Sequence, residues 1–388
     1  MRLVARHFET TRWVALTIEG GRIASVDPSD GPGAISDADD WIAPAFWDLQ
    51  INGRWGVSFS SPELTAGQVA RIVRAQGALG TARLCPTLIS APPGDLLHGV
   101  STIARACEAF EDVDAGVLGI HLEGPFLSEV DGYRGAHPVG SIRDPDWGEF
   151  AGLMEASGGR VAIVTLAPER PGSIGFIRRA VAAGVVVGLG HTAADGDRIR
   201  AAVEAGATLS THLGNGIAAT LARHLNPIWD QASEDRLYAS LIADGHHLGP
   251  GVLRALVRAK TADRVVLVGD ASPLAGLPAG IYGPWEVVSS GKVVVAGTPY
   301  LAGSNRGIAW GVDALIRDAG LSPSQAIAAT TRHPARVLSR AEPTIAPGEP
   351  ADLIRFRLVG DRACPRFELV ETCVGGIWVE PEEGESPA

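Results

Sequence analysis

Two rhythms of hydrophobic positions divide the chain. Residues 11–27 form short alternating apolar and polar runs broken at Gly20-Gly21. The same period of two returns after about residue 341, in ADLIRFRL and FELVETCVGGIWVE. Alternation bounded by turn residues predicts strands. Neither end holds enough strands to be stable alone. The two ends are therefore expected to pair in one small β-sandwich domain, residues 1–43 with 341–388, and 44–340 becomes a long insertion. The last dozen residues, PEEGESPA included, are expected to fray.

The insertion reads differently. Continuous apolar runs recur at APAFWDLQI (43–51), TARLCPTLI (81–89), GVLGIHLE (116–123), VAIVTLA (161–167), VVVGLGH (185–191), ATLSTH (207–212), LYASLIAD (237–244) and RVVLVGD (264–270). Between them lie stretches such as LTAGQVARIVRAQGA, with apolar residues at helical spacing. Strands apolar on both faces belong to parallel sheets covered by helices. Eight such units over roughly 300 residues predict an α/β fold, a (β/α)8 TIM barrel. A doubly wound open sheet is the alternative, weakened because no Gly-rich phosphate fingerprint follows the first strand.

Composition narrows the class. With 46% hydrophobic and 20% charged residues the chain is globular rather than disordered. Its net charge of −11 gives no broad basic footprint for nucleic acid or an anionic membrane. No window approaches a membrane span, and MRLVARHFETTRW lacks the apolar core of a signal peptide. Cys85, Cys107, Cys364 and Cys373 lie far apart, without a metal or disulfide pattern. These features suit a cytoplasmic enzyme acting on a small molecule.

What ends the apolar runs carries the chemistry. Gln50, Glu123, His191, His212, Asp244 and Asp270 close six of the eight, at the rim where barrels build their sites. Glu123, His191 and His212 supply one carboxylate and two imidazoles from three strands. That set suits a catalytic zinc with an open position; iron or manganese would also fit. Asp270, in VGDASPLAG, fits a carboxylate that moves a proton to and from a metal-activated water. Its alternative is a helix N-cap. At the first strand, Gln50 and Asn52 are amides, which are poor zinc ligands. Lys260 falls in a helical stretch and Lys292 in a hairpin-like one, so neither can serve as a bridging carbamylated lysine. One divalent metal ion is expected. His246 and His247 sit on a glycine-flexed loop and cannot both turn inward. Asn215, Gly216 and Arg223 read equally as an anion-binding kit or as a rim loop with a surface arginine. His137 lies in the long loop after the third strand, where it could reach substrate.

These motifs, in this order, resemble the N-acetylglucosamine-6-phosphate deacetylase family of the amidohydrolase superfamily. The segments are WDLQINGRWGVSF, HLEGPFLS…GAHP, LAPE, GHTAAD, THLGN, IADGHHL, GDASPLAG and LAGSN, spread over most of the chain. The resemblance implies Glu123, His191 and His212 as ligands of one divalent metal and Asp270 as the catalytic acid and base. It implies His137 and His247 as substrate-binding histidines and Asn215 with the N–H of Gly216 as phosphate-loop positions. Arg223 falls at the spacing of an arginine that reaches a phosphate across a dimer interface, so a homodimer is implied too. Gln-x-Asn on the first strand matches the family's mononuclear form. The loop after His212 reads Gly214-Asn215-Gly216-Ile217 where the family usually has Tyr-Asn-Ala-Met. The implied reaction is hydrolysis of an N-acetyl group from an amino sugar, N-acetylglucosamine 6-phosphate or a close relative. The alternative is another N-acyl amine or cyclic amide at the same site.

Overall fold

The computed structural model describes residues 1–31, 40–361 and 364–382. Eight parallel strands hydrogen-bond in chain order. They are Phe46–Ile51, Thr81–Ile89, Ile120–Glu123, Val161–Leu166, Val186–Leu189, Leu209–Ser210, Tyr238–Leu241 and Val265–Leu267. The circle closes just beyond the last of these. Ile51 bridges Ala271 in parallel, and the Asn52 N–H donates to the Ala271 carbonyl at 2.9 Å. Asp48 reinforces the seam, its carboxylate accepting the Gly269 N–H at 3.0 and 3.1 Å. This closure selects the barrel over the open sheet. Trp47, Leu49, Cys85, Ile163, Leu209 and Val266, from the first, second, fourth, sixth and eighth strands, pack together in one cluster.

Helices cover the outside as their spacing requires. Ala66–Ala75 opens with a capping box in which Thr65 and Gln68 satisfy each other's backbone N–H groups. Val69, Ile72 and Val73 then turn one apolar stripe to the barrel.

The two chain ends meet as expected. Arg2–His7, Trp13–Glu19, Arg22–Pro28 and Asp40–Pro44 share a seven-stranded sheet with Leu353–Val359, Arg366–Val374 and Ile377–Val379. The join pairs Leu353 with Pro44 and Arg357 with Asp40, antiparallel. Leu3, Leu16, Ile23, Ile42, Leu353 and Cys373 form the shared core of this small β-sandwich. Asp40 is fully buried, and Arg355 and Arg357 neutralise it at 2.8 and 2.9 Å. A third sheet was not legible in the periodicity. Gly280–Tyr282, Trp285–Val287 and Val293–Val295 form an antiparallel insertion after the eighth barrel strand.

The tail corrects one expectation. Ile377–Val379 is a paired strand rather than frayed chain. Beyond it Glu382 docks on the barrel, its N–H donating to the Ala78 carbonyl and its carboxylate pairing with Arg54. Residues 383–388, the rest of the expected frayed end, lie outside the described residues. Arg54 is 2% exposed, so Glu382 is the counter-charge of a buried guanidinium. Replacing Glu382 with Ala strands that charge, which costs about 1–3 kcal/mol. A thermal midpoint lower by several degrees is the expected result; an unchanged melting curve would show that the tail contact contributes nothing.

Candidate active site

The third, fifth and sixth barrel strands end in, or just before, Glu123, His191 and His212. All three are buried, and their ligand atoms converge. Glu123 Oε1 lies 2.8 Å from His212 Nε2 and 3.2 Å from His191 Nε2, and the two nitrogens are 3.0 Å apart. Asp270, three residues past the eighth strand, is buried beside them.

Backbone strain aims these side chains. His191, His212 and Asp270 have φ of +50°, +33° and +47°. Non-glycine residues held there cost on the order of 1–3 kcal/mol each and persist only where surrounding contacts over-determine them. Those contacts are visible. The His191 Nδ1–H donates to the Tyr133 carbonyl at 2.9 Å. The His212 backbone N–H donates to Ser240 Oγ at 2.7 Å. Gly216 and Gly135 press against the His191 ring: a Cβ on Gly216 would lie 2.6 Å from Nδ1, and one on Gly135 2.9 Å from Cε1. Gly216 is therefore glycine for close approach, besides any use of its N–H.

The electrostatics ask for a cation at the point of convergence. With Nδ1 of His191 donating, its Nε2 turns a lone pair toward the Glu123 carboxylate. Burial works against the charged form of Glu123, yet the His191 and His212 imidazoles beside it hold its carboxyl well below the ordinary range. Burial likewise disfavours a charged His212, yet Glu123 and Asp270 raise its pKa. The raised His212 reports the excess of negative charge that Glu123 and Asp270 place around it. The three atoms lie near the roughly 3.3 Å spacing set by tetrahedral bonds of about 2.0–2.2 Å to zinc. Two imidazoles and a carboxylate fit such an ion, and an oxygen- or nitrogen-preferring divalent metal in general.

The first-strand amides serve the carboxylates. Gln50 Nε2 donates to both Glu123 Oε1 and Asp270 Oδ1 at 3.0 Å, and Asn52 Nδ2 donates to Asp270 Oδ1 at 2.7 Å. An amide NH2 thus occupies the space between the two acids. Burial and the nearby Glu123 charge push Asp270 up to about 6, against these donors and His212.

Two more histidines face the cavity, which measures about 230 Å³. His137 Nδ1 accepts the Ser90 backbone N–H at 3.2 Å, which leaves the proton on Nε2, 3.9 Å from Glu123 Oε2. Burial lowers His137 to about 3, so it is a neutral donor. Of the adjacent pair, His247 lines the cavity, its Nδ1 2.8 Å from Asp244 Oδ2. Asp244 also accepts the backbone N–H groups of His246 and His247; burial opposes its charge, and these bonds hold its carboxyl low.

Asn215 and Gly216 line the cavity, as the sequence suggested. Arg223 does not: it is exposed on the loop that follows, outside the lining. Several supporting residues went unread. Asp48 sits two positions before Gln50, and its role shows only in its bonds to the Gly269 N–H. His121 sits two before Glu123 and carries a chain beneath the site. Its Nδ1–H donates to the Leu49 carbonyl, and its Nε2 accepts from Thr165, which bonds Thr211 at 2.7 Å. Burial lowers His121 to about 4. Trp285 and Tyr300, from the inserted sheet and its return, gave no motif at all.

Comparison with known proteins agrees with this arrangement. The amidohydrolase family profile matches residues 41–377. A Danio rerio N-acetylglucosamine-6-phosphate deacetylase is 38% identical over 329 residues, 81% of this chain and 80% of its own length. An Escherichia coli O157:H7 N-acetylgalactosamine-6-phosphate deacetylase is 31% identical, over 83% of this chain and 84% of its own. A Mycobacterium smegmatis N-acetyl-D-glucosamine-6-phosphate deacetylase mutant, solved in complex with N-acetyl-D-glucosamine-6-phosphate, is 32% identical. It superposes with a TM-score of 0.85 over 98% of this chain and 99% of that one. The chain therefore belongs to the amidohydrolase family and, within it, to the N-acetylglucosamine-6-phosphate deacetylase family.

Proposed function

We propose that the chain is a metal-dependent deacetylase of N-acetylated amino sugars, releasing acetate and the free amine. The observation that carries this reading is the meeting of Glu123, His191 and His212 at one buried point with Asp270 beside them. Its relatives, deacetylases of N-acetylglucosamine 6-phosphate and N-acetylgalactosamine 6-phosphate, indicate the class of substrate.

Glu123, His191 and His212 would hold one divalent ion, most simply zinc. Such an ion supplies a Lewis acid and lowers the pKa of water to about 7. One ion suffices in this reading, because the Gln50 NH2 lies between the carboxylates that a second would need. Asp270 takes the proton of the water that adds to the amide carbon. It then delivers that proton to the nitrogen as the C–N bond breaks. Gln50 and Asn52 grip one of the Asp270 oxygens and leave the other to work. The neutral Nε2–H of His137 can donate to the carbonyl oxygen as charge develops on it. His247, fixed by Asp244, orients the substrate. Asn215 and the Gly216 N–H are available to its distal end.

We also take the working form to be a homodimer, with Arg223 directed at the neighbouring subunit's site. The support is that Arg223 leaves its own pocket while Leu225 and Trp229 beside it are 84% and 55% exposed.

Two variants test the core of this reading. Asp270→Asn keeps the shape but not the proton transfer. Turnover on N-acetylated amino sugars should drop by about 10²–10⁴-fold with metal still bound; nearly full activity would remove Asp270 from the mechanism. Gly216→Ala pushes a methyl into the His191 ring. Metal affinity, measured by chelator competition, should weaken by roughly 10–100-fold. Unaltered affinity would mean that His191 is not a ligand.

A further inference from the structure

The fourth barrel strand supplies none of the groups that converge in the site, yet it lies between two strands that do. It runs into Leu166-Ala167-Pro168-Glu169, and that tetrapeptide is tied to both neighbours. On the side of the third strand, the Gly124 N–H, directly after Glu123, donates to the Thr165 carbonyl at 3.0 Å. The Ala167 N–H donates to the Phe126 carbonyl at 2.9 Å.

On the side of the fifth strand the same tetrapeptide brackets His191. Before it, the Gly190 N–H donates to the Leu166 carbonyl at 3.3 Å. After it, the half-buried Glu169 takes over. Glu169 Oε2 accepts the Thr192 hydroxyl at 2.5 Å, and Oε1 accepts the Ala193 N–H at 2.7 Å. Thr192 Oγ1 in turn accepts the Ala194 N–H at 3.0 Å. Three consecutive residues after His191 are thus joined to one carboxylate. Its donors are a hydroxyl and an amide rather than cations, so its charge strengthens the bonds that hold the turn.

His191 needs such a hold. Its φ of +50° is unfavourable for a residue with a side chain, and it persists only if the flanking peptide planes are fixed. The other strained residues have their own braces: His212 donates its N–H to Ser240, and the Asp270 carbonyl accepts from Ser304. The His191 carbonyl accepts the Ser128 N–H at 3.0 Å, but the direction of the chain beyond Thr192 is set by Glu169. A relaxed turn would swing the imidazole away from Glu123 and His212.

We propose that Glu169 is a positioning residue of the metal site: its carboxylate fixes the turn after His191 and so places His191 Nε2 at the point of convergence. The proposal rests on the metal-dependent reading above and acts through His191 alone.

The test measures zinc affinity of the full-length protein by chelator competition, which needs no substrate. Glu169→Ala should weaken it by about 10–100-fold, and excess zinc should restore most of the activity. Glu169→Gln keeps an acceptor for the Ala193 N–H and should recover most of the loss. Thr192→Val removes the hydroxyl at nearly constant shape; it should weaken zinc binding by itself and add little to Glu169→Ala. Ser173→Ala is the control. It removes the bond from Ser173 Oγ to the Ala167 carbonyl, in the same loop but away from the turn. It should lower the melting temperature and leave zinc affinity unchanged. Unchanged zinc affinity in folded Glu169→Ala overturns the proposal. So does an equal loss in Ser173→Ala, which would show general loosening of the loop. Should Glu169→Ala not fold, Thr192→Val decides by the same criterion. If the unaltered protein binds no divalent metal, the metal-dependent reading itself falls, a result distinct from the others.

Discussion

One carboxylate oxygen held between two imidazole nitrogens is the interaction on which the rest of this structure turns. Glu123 Oε1 and the Nε2 atoms of His191 and His212 lie 2.8–3.2 Å apart, buried where they line the cavity. That arrangement is costly without a cation, because burial opposes every charge in it. The surrounding protein is organised to keep it. The strained backbones of His191, His212 and Asp270, the two glycines against the His191 ring, and the Gln50 bridge all fix groups that would otherwise separate. Barrel closure supplies the frame: Asp48 and Ala271 join the first strand to the eighth. That seam brings Gln50 and Asn52, from the start of the barrel, to Asp270 at its end.

The cavity draws its lining from two sources. Polar groups from the strand ends, Glu123, His191, His212, His247 and Asp270, line one side. Trp285 and Tyr300 come from the insertion after the eighth strand and its return, which the barrel does not require. The insertion's return is tied to the segment that carries Asp270, where the Ser304 N–H donates to the Asp270 carbonyl and the Ser272 N–H to the Ser304 carbonyl.

Much of this was legible in the sequence. Parallel strands buried on both faces write themselves as continuous apolar runs, so a polar residue closing such a run stands out. Glu123, His191, His212 and Asp270 were readable for that reason. The pairing of the chain ends was readable because neither end could bury its own alternating face. What stayed hidden depends on contacts between distant segments. Asp48 looks like any polar strand residue until its bond to Gly269 is seen. The need for glycine at 216 and 135 arises from the His191 ring, far away in the chain. The inserted sheet consists of three-residue strands, too short to show a period. The tail read as frayed because its composition is polar, yet Glu382 answers a buried arginine more than 300 positions earlier.

The most direct examination of this account is a crystal structure of the full-length protein with anomalous diffraction collected at the absorption edges of zinc, iron and manganese. A single strong peak per chain, within about 2.0–2.2 Å of Glu123, His191 and His212, is what the account requires. A metal-supplemented crystal with no peak among those three side chains, or with the three turned away from one another, would contradict it.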